Sequence, residues 1–370
     1  MEGTRLTLFL AAGLAGVVAV SCTKSDRMPG LDDDAKEVCF SMVPVKTVTR
    51  ANTDFDRFPA DSAFGTRAYY LPQGKSWLQT HDEADLYIDI NKISKRDGVW
   101  KAWDSGKSYW WPQTGNLSFY SWAPYNLLER GLSVDNKNGI QIKDWSMPNT
   151  SGYGGSTNYG GEKPSDGSTD ILTAGTYDVS PSTNADAAAR GVKINFSHAL
   201  CKVRFVISLD SDDADKEWRV YSVALRDIYT KGDFSGGMWG NHSNMRDYIP
   251  EPKTTEPLKA GTFTEIFPVT MMLPQPVNPS TSGTFSRKPR IEIKCWDGKS
   301  LMDDGKGNKI PDYSTFTGVL YSNTTELLRW KEGTRITYRL FITNGVAQYI
   351  EFDAATSDWA DGGDNDIYMQ

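Results

Sequence analysis

Val192-Lys193-Ile194-Asn195-Phe196-Ser197-His198-Ala199-Leu200-Cys201-Lys202-Val203-Arg204-Phe205-Val206-Ile207 opens the second half of the chain with its best strand signal. Val192, Ile194 and Phe196 recur with period two, the spacing that puts side chains on one face of a β-strand. Ala199, Cys201, Val203, Phe205 and Ile207 keep the period but take the opposite phase. A strand that changes phase flips its buried face, so a bulge or bend is expected near Ser197-His198.

Runs of the same kind extend in both directions. Phe64–Leu71 is a strand candidate, and Leu86–Ile90 alternates as a half-buried strand should. Asp97-Gly98 reads as a turn into a return strand at Val99–Trp103. In Leu117–Tyr125 both faces carry aromatic residues, which predicts a strand covered on both sides. Downstream, Tyr221–Leu225 is ended by the polar run Thr230–Asp233, and Ile291–Cys295 meets a turn at Asp297-Gly298. Ile336–Ile342 leads to an Asn344-Gly345 hairpin turn, from which Tyr349–Phe352 returns. Helical periodicity is scarce, with one short turn expected at Ala185–Arg190. The fold class is all-β, with few short helices.

Composition agrees. The chain has 370 residues, 12 Trp, 17 Tyr, 33 Gly and 18 Pro, and only 24% of it is charged, which suits turn-rich β-sandwiches with ample core material. The net charge of −7 without basic runs argues against nucleic acid as a partner.

The N-terminus fixes where the chain works. Leu6 to Val20 is apolar apart from Thr7, a run of about 15 residues, short of the roughly 20 that span a bilayer and matched to a signal-peptide core. Ala19-Val20-Ser21-Cys22 resembles a loose bacterial lipobox, with cleavage between Ser21 and Cys22 and lipid on Cys22. Residues 1–21 are therefore expected to be removed. Residues 22–50 form a polar, lipidated tether and an N-terminal strand, residues 51–182 a first β-sandwich domain, and residues 183–370 a second. In the N-terminal segment Val38, Phe40, Met42, Val43 and Val45 are β-prone, and Pro44 cannot donate to a ladder, which suggests an edge strand or the end of one.

Chemistry is sparse. His81, His198 and His242 sit in unrelated contexts, and no nucleophile elbow or phosphate loop is present, so no catalytic residue and no cofactor are assigned. Asp303–Asn308 lacks the spacing of a calcium loop and reads as a hairpin. His81-Asp82-Glu83 reads as a solvated turn rather than a metal site. Among Cys22, Cys39, Cys201 and Cys295 no pair has zinc or redox spacing. Cys201 and Cys295 fall on apolar strand phases and read as buried free thiols, although export permits a bridge.

Five pieces read together as a family. Tyr109-Trp110-Trp111-Pro112 followed by Leu117–Pro124, Asp170-Ile171-Leu172-Thr173-Ala174, Phe196–Val203, Met272-Leu273-Pro274-Gln275, and Asp353–Trp359 occur in the order of the Bacteroidales fimbrillins, which the chain resembles. The resemblance implies a type V pilin-like subunit of two tandem transthyretin-like β-sandwich domains, held to the cell outer membrane as a lipoprotein and serving adhesion in a fimbria. In assembling members an Arg-directed protease removes the lipidated N-terminal strand, and the groove accepts a strand from another pilus subunit. Here the cut would fall between Arg50 and Ala51, with Arg67 and Ala68, inside a strand pattern, as the alternative. Val38, Phe40, Met42, Val43 and Val45 would be the plug. The tail Ala360–Gln370, rich in Asp and Gly, is a poor donor strand, which leaves a tip or accessory role open beside the stalk. A competing reading is an outer-membrane glycan-binding lipoprotein, with Trp100, Trp103, Trp110, Trp111 and Trp122 as a sugar-stacking platform.

Overall fold

A computed structural model describes residues 36–42, 63–147, 170–210, 216–249, 256–278, 289–320, 328–342 and 350–358. The first part contains β1 (Phe40–Met42), β2 (Ala63–Leu71), α1 (Trp77–Thr80), β3 (Asp85–Arg96), β4 (Val99–Lys101), β5 (Asn116–Ala123), β6 (Leu132–Asp135), β7 (Gly139–Ser146) and β8 (Leu172–Val179). Then come α2 (Ala185–Arg190), β9 (Val192–Ile194), β10 (Ser197–His198), β11 (Cys201–Leu209), β12 (Arg219–Ser235), β13 (Met238–Tyr248), β14 (Thr264–Met272) and β15 (Arg290–Trp296). β16 (Leu301–Asp303), β17 (Lys309–Pro311), β18 (Ser314–Val319), β19 (Thr334–Ile342) and β20 (Ile350–Asp358) complete the order. The protein is all-β, and α2 is the short turn expected, its first turn held by the Asn184 side chain accepting from the Ala187 amide at 3.1 Å.

The first sheet has eight strands in the order β10-β8-β5-β2-β3-β4-β1-β9. Its two end strands, β9 and β10, are neighbouring pieces of the stretch that changes phase. The sheet therefore curls until its ends approach, where Thr176 Oγ1 donates to the Lys193 carbonyl at 3.3 Å. The expected bend near Ser197-His198 is a change of sheet: β10 pairs with β8, and β11 enters a different sheet. Inside the curl lies a core that includes Phe40, Phe64, Ile88, Ile93, Leu117, Phe119 and Val192.

β11 lies between β14 (antiparallel) and β19 (parallel), with β20 on the far side of β19. This sheet faces a second one, ordered β18-β15-β12-β7-β6, with β13 paired to β12. Val203, Phe205 and Ile207 from one sheet and Val223, Leu225, Ile291 and Ile293 from the other fill the sandwich between them. β12 runs through Thr230–Asp233, where the sequence suggested an end, and turns at Gly236-Gly237, both at positive φ. Tertiary pairing overrides the polar run, because β7 and β13 flank β12 over that span.

The expected break at 182/183 is crossed twice. β9 and β10 follow it but pair into the first sheet, and β6 and β7 precede it but extend the sheet of β12. A third core, which includes Trp122, Leu127, Trp145, Ala199, Phe234, Trp239 and Leu273, fills this junction. β5 consequently buries Leu117 and Phe119 in the first core and Trp122 in the third, the two-sided cover expected from its sequence.

Candidate functional site: the N-terminal strand and its slot

The segment Lys36–Met42 is built into the first sheet rather than laid along it. Its beginning pairs with the Tyr109–Trp111 stretch: the Val38 amide donates to the Tyr109 carbonyl at 2.7 Å and the Trp111 amide to the Lys36 carbonyl at 2.9 Å. β1 then lies between two strands, antiparallel to β4 (Phe40 opposite Trp100) and parallel to β9 (Phe40, Ser41 and Met42 opposite Val192, Lys193 and Ile194). The edge position suggested by Pro44 is thus not taken, since the three-residue β9 covers the outer side. The described part of β1 ends at Met42.

Alternation aims Val38 and Phe40 into the core, with Met42 packed against it. Phe40 meets Phe64 and Phe119 edge-on, each at 5.7 Å between centroids. Gly191 is required on the outer wall. Its φ is +92°, and a Cβ there would come within 2.7 Å of the Phe40 backbone. The absent side chain lets α2 hand the chain to β9 hard against β1, where the Val192 amide donates to the Cys39 carbonyl at 2.8 Å and Ser41 Oγ to the Gly191 carbonyl at 3.2 Å.

One charged pair is buried in the slot. Lys101 Nζ, from β4, donates to both carboxylate oxygens of Glu37 at 3.0 and 3.3 Å. The two side chains are only 17% and 6% exposed, and the ammonium also lies 4.3 Å from the centre of the Trp103 ring. Sequence reasoning missed this pair. Glu37 opens a β-prone run and Lys101 lies in the return strand, and nothing local links them.

Of the residues expected to act, Val38, Phe40 and Met42 come together in the slot, whereas Ser21, Cys22, Val43, Val45, Arg50 and Ala51 lie outside the described residues. Arg67 and Ala68 are in β2, opposite Tyr120 and Phe119 of β5; Ala68 also faces Ile88 of β3, while Arg67 falls at a register shift on that side. Ala68 is fully buried, and Arg67 bridges to Asp89 at 3.3 Å and donates to the Val134 carbonyl.

The remaining chemistry is structural. His198 pairs with Asp170 at 2.6 Å, and His242 Nε2 donates to the Pro274 carbonyl at 2.8 Å; burial pushes the His242 pKa down. His81 bonds the Asn136 carbonyl at 2.8 Å. Asp303–Asn308 closes the β16–β17 hairpin, with Asp304 bound to the amides of Lys306 and Asn308. Cys201 and Cys295 are fully buried free thiols, and burial drives both thiol pKa values up, that of Cys295 to about 12. No group of His, Cys, Asp and Glu among the described residues is arranged to hold a metal. No helix among them is long and apolar enough to cross a membrane. Trp100, Trp110, Trp111 and Trp122 are buried and do not form a sugar platform. A separate cleft of about 870 Å³ opens at the junction, lined in part by Tyr120, Asn138, Tyr177, Asn195 and Glu332.

Three solved structures are among those similar to the chain. A fimbrial protein from Bacteroides vulgatus ATCC 8482 is 15% identical, with a TM-score of 0.59 over 88% of this chain and 99% of that one. A putative cell adhesion protein from Parabacteroides distasonis ATCC 8503 is 11% identical, with a TM-score of 0.48 over 88% and 97%. The tip fimbrial protein Mfa3 from Porphyromonas gingivalis is 10% identical, with a TM-score of 0.34 over 87% and 98%. No curated protein sequence matches the chain. The model of the fimbrillin-like family matches residues 49–359, and the chain belongs to that family.

Proposed function

We propose that the protein is a structural subunit of, or an accessory protein to, a type V fimbria, exported as a lipoprotein through Cys22 and serving adhesion at the cell surface. Family membership supports the fimbrial or adhesin-like role. Its mechanism is strand exchange after Arg-directed cleavage at Arg50-Ala51, within two tandem transthyretin-like β-sandwich units divided near 182/183. One observation carries the mechanism: β1 is a three-residue strand hydrogen-bonded on both flanks, with Phe40 in the core. Its removal leaves an apolar slot and unpaired backbone on β4 and β9, both of which a donated strand restores. Arg67-Ala68 is the poorer cutting site, because a protease needs an extended, accessible backbone and β2 is paired along both edges.

The test is limited digestion of the purified lipoprotein with an Arg-specific protease, followed by N-terminal sequencing and sizing. A new N-terminus at Ala51 with SDS-resistant ladders is expected of a polymerising subunit. A clean cut without ladders fits a tip or accessory subunit. A folded monomer uncut near Arg50 would sink strand exchange.

The second reading, a surface glycan-binding lipoprotein, keeps one supporting observation after the loss of the Trp platform. Tyr177 is 47% exposed in the junction cleft and is stacked from behind on the buried Trp77, with planes 9° apart. Binding of soluble oligosaccharides that Tyr177→Ala abolishes would favour it.

A further inference from the structure

The slot contains more than an apolar groove. When another strand fills the slot in place of Lys36–Met42, Lys101 is covered again, and without a carboxylate opposite it the ammonium is a partly buried charge with no counter-ion. An unpaired charge there is costly, and only a strand that brings an acidic group to the same position removes that cost. The register defines the position. Glu37 faces Trp110 in an antiparallel bridge, and Phe40, three residues later, faces Trp100. The direction is fixed as well, since a replacement must run antiparallel to β4 and parallel to β9 to satisfy both.

We infer that Lys101 is a specificity-determining residue of this slot, selecting a partner strand that carries an acidic residue three positions before its large apolar anchor. This rests on the strand-exchange reading. The partner is an extended segment of pattern acidic-apolar-x-apolar-x-apolar, as in Glu37-Val38-Cys39-Phe40-Ser41-Met42. The Trp103 ring lies 4.3 Å from the ammonium and offers it a π face but no counter-charge. Apolar alternation alone would accept many strands. A buried cation that must be neutralised rejects those with a neutral or basic residue at that register, which is selection by penalty.

The experiment uses the full exported chain carrying one engineered protease site at Arg50-Ala51. The chain is nicked, and exchange of its plug for a fluorescent peptide of residues 36–46 is followed by anisotropy. All peptides carry Cys39→Ser to prevent dimers. With Lys101 present, Glu37→Gln is expected to weaken capture about tenfold or more. With Lys101→Met in the chain the two peptides are expected to bind alike. With Lys101→Glu the Glu37→Lys peptide is expected to become the preferred one. Should Lys101→Met fail to fold, the peptide pair on the native slot decides alone. Equal capture of the native and Glu37→Gln peptides by the native slot would overturn the role of Lys101 and leave strand exchange standing. Capture of no peptide at all, including the native one, would overturn strand exchange and this inference with it.

Discussion

Gln275 shows what one residue can hold. Its side chain is fully buried, and its amide takes the place of a missing strand neighbour for Tyr229. It accepts from the Tyr229 amide at 2.8 Å and donates to the carbonyls of Tyr229 and Leu273 at 3.1 and 3.0 Å. Gln275→Ala leaves those backbone groups buried and unpaired, and urea unfolding is expected to show a loss of about 3 kcal/mol. A loss under about 1 kcal/mol would mean that water or a backbone shift replaces the amide. The Met272–Gln275 piece was recognisable in the sequence as part of a pattern, but its reason was not, because the partner is 46 residues away. His242 gives a second expectation at this scale. Burial is the first cause of its lowered pKa, with Arg329 adding to it, so the folded protein resists a proton that the unfolded chain accepts near 6.5. Lowering the pH through that value favours the unfolded state: the contribution is present above it and is lost as pH falls. Between about pH 7 and 5, native stability should therefore drop more than that of His242→Asn, read as the difference between two denaturant series.

At the scale of elements, local pattern was legible wherever the partner strand was close in sequence. The β3–β4 turn sits at Asp97-Gly98, with φ of +50° and +81°, as the dipeptide suggests. β2, β5, β15 and β19 fall on the alternating runs. Long-range pairing was not legible. Nothing in Val192–His198 says that its first residues close one side of a sheet and its last two the other; the phase change only required a bend. Pro44 pointed to an edge, yet β1 is interior, because Gly191 lets a further short strand fit outside it. That arrangement makes β9 dependent. Among the described strands its only ladder partner is β1. Hydrogen exchange after nicking and release of the N-terminal segment is expected to show loss of protection at Val192–Ile194. β2, β3 and β5, paired among themselves, should retain theirs. Unchanged protection at Val192 would mean that some other group replaces the Cys39 carbonyl.

For the whole molecule, the consequence is coupling between the two units that the sequence divides near 182/183. A linker between independent domains carries few contacts, and each side keeps its own core. Here the chain after the break completes the first sheet through β9 and β10, and β7 from before it pairs with β12. The junction core is drawn from both sides, and within it the Trp239 indole donates to the Ala199 carbonyl at 2.5 Å, both residues coming from after the break. Neither unit can unfold without exposing apolar surface and unpaired strand edges of the other. Calorimetry of the protein is therefore expected to give one cooperative transition, with the calorimetric enthalpy equal to the van't Hoff value. Trp239→Phe, which keeps most of the ring and removes the indole donor, should lower the midpoint without splitting it. Two resolved transitions in the native chain would show that the shared strands are too weak to couple the units. Loss of β1 would then disturb the first unit alone, with no effect carried through β9 to β11 and the sandwich beyond.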